Sequence, residues 1–186
     1  MGKGGFFPRL ALVNLVRNSR YYGPYLLSCG ALAAMYYILR FLTWNEVIQT
    51  VRGAAYLQVM MSIGCFVVAL FSTVLLLYAN SFVMKRRQKE LGLYNILGLE
   101  KRHIAALCFW ETLLCAAVVI PGGIAAGILL SKLILLLLLK LVQIPVQFGF
   151  SVSVRGVGET AALLGVLFLL ALLWNLLRLG RSRPIE

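Results

Sequence analysis

The residues able to do chemistry in this 186-residue chain are few and far apart. All six acids are glutamates, and the chain has one histidine and four cysteines. His103 stands beside Lys101 and Arg102 with no carboxylate next to it. General acid–base catalysis needs a titrating group within hydrogen-bond reach of its partner, and a metal site needs several ligands together. Neither pattern is readable, so no catalytic, cofactor-binding or metal residue is expected. No GxxxxGKS or GxxxxGKT loop is present to cradle a phosphate, so the chain holds no ATP-hydrolysing site of its own. Cys29, Cys65, Cys108 and Cys115 fall in or beside apolar runs without a CxxC pair. They read as thiols packing as small hydrophobes. Glu111 is different. It is an acid at the border of an apolar run, where a carboxylate is costly and calls for a partner. It lies about 12 Å of helix beyond His103, within reach of basic side chains from the interface. A structural ion pair or hydrogen bond is the first reading of Glu111, and proton transport the second.

These residues sit in a chain that is 61% hydrophobic and 13% charged, with a mean hydropathy of +0.91. Soluble domains carry about 25% charged residues. A water-soluble enzyme and a disordered basic tail are both excluded. The net charge of +12 invites a nucleic-acid reading. The basic residues, however, stand at the ends of long uncharged runs and not on one polar face, so no nucleic-acid partner is expected. The medium is the lipid bilayer.

A helix needs about 20 apolar residues to cross a hydrocarbon core of about 30 Å. Four uncharged runs qualify: Tyr21–Leu39, Gly53–Met84, Thr112–Ser131 and Thr160–Leu177. Backbone groups in lipid must be satisfied internally, and the alternating polarity of a barrel is absent, so these are helices. The first run is long and rich in tyrosine and lacks a small-residue cleavage site, so it reads as a span and not a signal peptide. Lys3, Arg9, Arg17 and Arg20 precede the first span. Lys85, Arg86, Arg87, Lys89, Lys101 and Arg102 lie between the second and third, and Arg178, Arg181 and Arg183 follow the fourth. With four crossings all of these share one side, which the positive-inside rule places in the cytoplasm with both termini.

The predicted fold is therefore all-α, a polytopic membrane protein with four transmembrane helices. Residues 1–20 form a cytoplasmic interfacial segment, 21–42 the first transmembrane helix, 55–84 the second, and 85–103 a cytoplasmic coupling segment. Residues 104–141 form the third span with an outer extension, 142–156 an extracellular connection, 157–178 the fourth span and 179–186 a cytoplasmic tail.

Several local patterns refine this division. Asn14, Arg17 and Asn18 share a helical face opposite Leu12, Val13, Leu15 and Val16, which suits the inner membrane surface or a simple basic flank. Pro121-Gly122-Gly123 interrupts the third span, where proline predicts a kink. Gly123, Gly127 and Ser131 form a small-residue stripe that permits close helix contact. Beyond Lys132 a leucine-rich turn leads to Lys140. It either projects above the membrane and needs cover, or the helix tilts so that both lysines reach the interface. Residues 143–154 alternate polar and apolar side chains, as a short extended segment does.

The most patterned stretch is KRRQKELGLYNILGLEKRH, Lys85 to His103. Arg86 to Leu97 consists largely of good helix formers with Leu91, Tyr94 and Leu97 at helical spacing, and Gly98 can supply the left-handed stop. A short amphipathic helix below the membrane results, either lying on lipid or receiving a push from a cytoplasmic partner.

The stretch LYANSFVMKRRQKELGLYNILGLEKRHIAALCFWETLL resembles the core of an FtsX-like permease domain, in particular the bacitracin-export (BceB-type) permease group of ABC transporters. RLALVNLVRNSRYYGPYLLS, GILLSKLILLLLLKLV, IPVQFGFSVS and NLLRLGRSRPIE carry the same resemblance, which extends over essentially the whole chain. It implies an FtsX/MacB-like permease unit of the bacterial inner membrane, non-catalytic itself. Such a unit is driven by a separate cytoplasmic ABC ATPase, expected as a dimer, that binds ATP and Mg. It also implies a role in resistance to, or sensing of, bacitracin-like antimicrobial peptides, with a sensor histidine kinase as a further partner. Carried over by position, Lys89, Glu90, Leu91, Gly92, Leu93 and Gly98 lie in the segment that docks on the ATPase. Tyr94 and Leu97 would insert apolar side chains, and Arg86, Lys101 and Arg102 would form a charged rim. Members of this group are about three times longer, so a second permease unit or the rest of a full-length permease is an expected partner. An ATP-independent membrane scaffold built on the small-residue stripe and a small ion-coupled carrier built on Glu111 are the competing functions.

Overall fold

The computed structural model describes residues 6–49, 53–96, 101–141 and 152–181, and every regular element among them is a helix. These are α1 (Phe6–Arg17), α2 (Ser19–Thr43), the short α3 (Glu46–Gln49), α4 (Ala54–Ile96), α5 (Lys101–Leu141) and α6 (Val154–Arg181). Four helical stretches among the described residues are long and apolar enough to cross a bilayer: Ser19–Thr43, Ala54–Arg87, Arg102–Leu141 and Val154–Leu179. The all-α polytopic fold follows from the uncharged runs, since in hydrocarbon a helix satisfies its own backbone.

The helix α2 sits in the middle, packed on α4, α5 and α6, while α4 and α5 make little direct contact. The composition of α2 suits the centre. Tyr22, Tyr25, Tyr36 and Tyr37 are buried there with Cys29, Ala33 and Ala34, so their hydroxyls are kept out of lipid. By contrast α4 turns Phe66, Leu70, Phe71, Val74 and Tyr78 outward. Lipid tails are as apolar as these side chains, so exposing them in the bilayer costs little.

The α2–α5 contact is close because α5 presents glycine. A Cβ added at Gly123 would overlap the Cβ of Ala33 and lie 2.9 Å from the carbonyl oxygen of Gly30. One added at Gly127 would lie 2.9 Å from Cδ1 of Tyr37 and 3.2 Å from the Cα of Ala34. Ser131 continues the stripe, buried, its hydroxyl donating to the Ile128 carbonyl at 2.8 Å. Gly122 meets nothing within 4 Å and takes no part, and Pro121 lies exposed within an α5 that continues on both sides of it. The small-residue stripe is therefore occupied by α2 of the same chain.

Helix α5 runs on through the leucine-rich turn to Leu141. Leu135 and Leu139 are buried against Phe41, Leu42 and Ile48, so the end of α2 and the short α3 cover the inward side. Leu133, Leu136 and Leu137 face outward. Helix α1 packs on α5 with Ala11 and Asn14 buried and Leu12, Val13 and Val16 exposed. Its polar Asn14 thus faces protein with Ala11 and Leu15, while Leu12, Val13 and Val16 face away.

Two expectations on element boundaries are corrected. Arg86–Leu97 is not a separate short helix, because α4 continues without a break from Ala54 to Ile96. Nothing between Met84 and Ile96 stops it. Residues 85–96 are largely helix formers, and the single Gly92 costs only about 1 kcal/mol, less than restarting a helix would. The fourth span begins at Val154, so the extended segment does not reach that residue. Val152 and Ser153 before it are not helical, and 143–151 lie outside the described residues.

Candidate functional site

Leu76, Asn80, Val83 and Arg87 recur on α4 at spacings of four, three and four, and all are buried. That spacing keeps them on one face. Two polar side chains, Asn80 and Arg87, are thereby turned into the bundle. Asn80 meets Asn175 of α6, each amide donating to the other's carbonyl oxygen at 3.0 and 3.1 Å. The reciprocal pair satisfies a donor and an acceptor on both residues, which is what keeps two amides tolerable inside an apolar bundle.

Arg87 meets Glu111 of α5. Its Nη1 donates to Glu111 Oε2 and also, at 2.8 Å, to the Tyr22 hydroxyl of α2. Tyr22 in turn donates to Glu111 Oε2 at 3.4 Å, and Asn14 Nδ2 of α1 donates to Oε1 at 3.4 Å. The guanidinium also lies 5.9 Å from the centre of the Tyr22 ring. The Arg87 and Glu111 side chains are each 5% exposed. Four helices thus contribute to one buried charge cluster: α1, α2, α4 and α5. A cavity of about 30 Å³ lies against it, lined by Tyr22, Tyr25, Asn80, Arg87, Glu111 and Asn175 among others, a size that admits water.

Met84, Ile104 and Cys108 close an apolar cluster beside this junction, with Leu179 packed on it. Arg86, next to Arg87, points elsewhere, its guanidinium 5.3 Å from the Phe82 ring and 6.0 Å from the Tyr21 ring. The bases of this region are thus split by the rotation of α4, one inside and one at the surface.

The backbone of Lys89, Glu90, Leu91, Gly92, Leu93 and Tyr94 lies on the last turns of α4, beyond the buried junction. Their side chains, and that of Lys101 in the first turn of α5, lie outside the described residues, as do Leu97 and Gly98. Arg102 is exposed near the start of α5. The four cysteines are free and buried, and no group of three or more metal-ligating side chains is found among the described residues. Glu111 is held by four-helix hydrogen bonding, as a structural acid is. Sequence reasoning missed Arg87, Asn80, Asn175, Tyr22 and Asn14 as its surroundings. The signal was present: an asparagine inside each of two apolar runs, one of them seven residues before Arg87.

Residues 62–184 match the family described as FtsX-like permease C-terminal. The chain belongs to the FtsX-like permease family. Among curated relatives, the bacitracin export permease protein BceB of Bacillus subtilis (strain 168) is 30% identical over 171 residues, covering 90% of this chain and 26% of that protein. BceB of Halalkalibacterium halodurans is 28% identical over 172 residues, covering 90% and 26%. The ABC transporter permease YvcS of Bacillus subtilis, named as uncharacterized, is 26% identical over 179 residues, covering 95% and 27%. The FtsX-like permease chain described here spans about a quarter of the length of these relatives. With four apolar crossings among the described residues, it is a multi-pass membrane protein.

Proposed function

We infer that this FtsX-like permease chain is a transmembrane permease unit of an ABC transporter, driven by a separate cytoplasmic ATPase that binds ATP and Mg. Its work is transport or displacement of a bacitracin-like antimicrobial peptide at the bacterial inner membrane, or sensing of it. Two relatives carry bacitracin export in their names, which supports the substrate class. The basic end of the bundle, with Arg20, Arg86, Arg102 and Arg178, faces the cytoplasm by the positive-inside rule, and both termini lie there.

One observation carries this reading: α4 is unbroken from Ala54 to Ile96 and is tied to α5 by Arg87 and Glu111. Its 43 residues span about 64 Å at 1.5 Å per residue, about twice the hydrocarbon thickness. Its end therefore reaches past the bilayer into water, where an ATPase can dock. A continuous helix moves as a rod, so displacement of that end tilts or shifts the membrane portion. The buried charge cluster then passes the displacement to α5, α2 and α1, because separating Arg87 from Glu111 in a low-dielectric interior is costly.

The test is co-purification with the cognate ATPase after changing Glu90, Leu91 and Tyr94 to Ala or Arg. Loss of association and of coupled ATP hydrolysis is expected. Undiminished association and coupling would overturn the reading.

A further inference from the structure

At the end of the bundle opposite the basic junction, one face of α4 together with Thr43 at the end of α2 and Trp44 lines an open groove of about 680 Å³, within the volume range of small-molecule sites. One wall is a stripe of α4 that includes Gln58, Val59, Ser62, Ile63 and Phe66, and Trp44 closes the top. Val59, Ile63 and Phe66 are exposed, so the groove opens toward the acyl chains. From Ala55 to Phe66 the stripe is about 16 Å long, about half of the hydrocarbon core and so the depth of one leaflet.

Gln58 and Ser62 add polar groups along the wall, but the charge lies at one end. The deep part is Ile63 and Phe66, whereas the mouth has Trp44 with the Arg155 guanidinium stacked 3.7 Å above its ring. Arg155 donates to Glu159 Oε1 at 3.2 Å and remains 63% exposed. Glu159 is already paired with Arg40 at 2.7 Å, so two guanidinium groups share one carboxylate, and among the described side chains the mouth carries a surplus positive charge. Tryptophan and a basic side chain at a span end mark the level of the headgroups.

We propose that this groove holds one anionic phospholipid from the leaflet opposite the basic end, its phosphate at Arg155 and an acyl chain along Val59, Ile63 and Phe66. The site needs only insertion of the chain in a bilayer and does not depend on an ATPase. A groove one leaflet deep with its cation at the aqueous end matches a lipid, while a crossing helix needs a contact twice as long.

Trp44 is a native reporter. A Trp110→Phe/Trp174→Phe variant, leaving Trp44 alone, is reconstituted in phosphatidylcholine vesicles. These contain small fractions of phosphatidylglycerol or phosphatidylcholine brominated in the acyl chain. Brominated phosphatidylglycerol is expected to quench with about fivefold greater apparent affinity, the factor one basic residue supplies near an anionic headgroup. Arg155→Gln should remove that preference and Arg155→Lys should keep it. Equal quenching by the two lipids, a preference that survives Arg155→Gln, or no quenching by either lipid would overturn the proposal. The last result would mean that protein fills the groove.

Discussion

Arg87 and Glu111, 24 positions apart in sequence, meet as a buried ion pair that joins α4 to α5, two helices with little other contact. Tyr22 and Asn14 complete the hydrogen bonding of the carboxylate, so α2 and α1 are tied to the same point. Desolvating both charges is expensive, and the pair is tolerated because each has its partner and further donors are present.

Removing one partner should be far worse than removing both. Arg87→Met or Glu111→Leu alone leaves an uncompensated buried charge and should cost about 3–5 kcal/mol, whereas the double variant should recover most of that loss. Unfolding by denaturing detergent, read by circular dichroism for the single and double variants, gives the comparison. Additive losses would mean that the two side chains do not act as a pair.

The Asn80–Asn175 pair predicts a smaller effect of the same form. Asn80→Leu strands the Asn175 amide and should destabilise by about 1 kcal/mol, the scale of interhelical hydrogen bonds in bilayers. Asn80→Leu with Asn175→Leu should be near neutral in the same titration. A double variant weaker than either single one would count against the reciprocal bond.

The α2–α5 contact separates neighbouring glycines. Gly123→Ala forces a methyl against Ala33 and the Gly30 backbone, and should destabilise by about 1–3 kcal/mol, as overpacking does. Gly122→Ala meets open space and should be neutral or slightly stabilising through helix propensity. Thermal stability in detergent distinguishes them, and equal behaviour would place the close approach elsewhere.

The ion pair at the other end should respond to salt. Arg40 and Glu159 are about a quarter exposed, at 25% and 26%. Glu159→Gln should therefore cost less than about 1 kcal/mol, and that cost should fade as salt is raised. The loss caused by Glu111→Leu should persist in high salt, because buried pairs are screened much less.

If α4 acts as a rod, a Gly-Gly insertion after Gln88 should uncouple the ATPase from the membrane while leaving docking intact. ATPase co-purification should then be unchanged and peptide resistance in cells lost. Full resistance with the flexible insertion would remove the rod from the mechanism.

The four crossings were legible in the linear sequence because charge is so costly in hydrocarbon that it leaves long blank runs, bordered by residues such as Arg20, Lys85 and Arg178. Glu111 stood out for the same reason. The end of the helix that makes the second crossing was not legible. A change from apolar to charged composition at Lys85 looks like the end of an element, yet helix propagation depends on backbone propensity and not on polarity, so α4 continues to Ile96.

Composition and order along the chain were enough for an all-α membrane protein with most of its cations gathered at one end, since transfer free energies act residue by residue. They were not enough to choose among Lys85, Arg86 and Arg87 as the partner of Glu111. Three consecutive cations are equivalent in a list, but successive helical positions are rotated by about 100°, and only one can face the bundle. The face that carries Asn80 toward Asn175 carries Arg87 inward two turns later and leaves Arg86 over Phe82 and Tyr21 at the surface. That choice belongs to the tertiary structure, because helix rotation is set by the packing of all its neighbours at once.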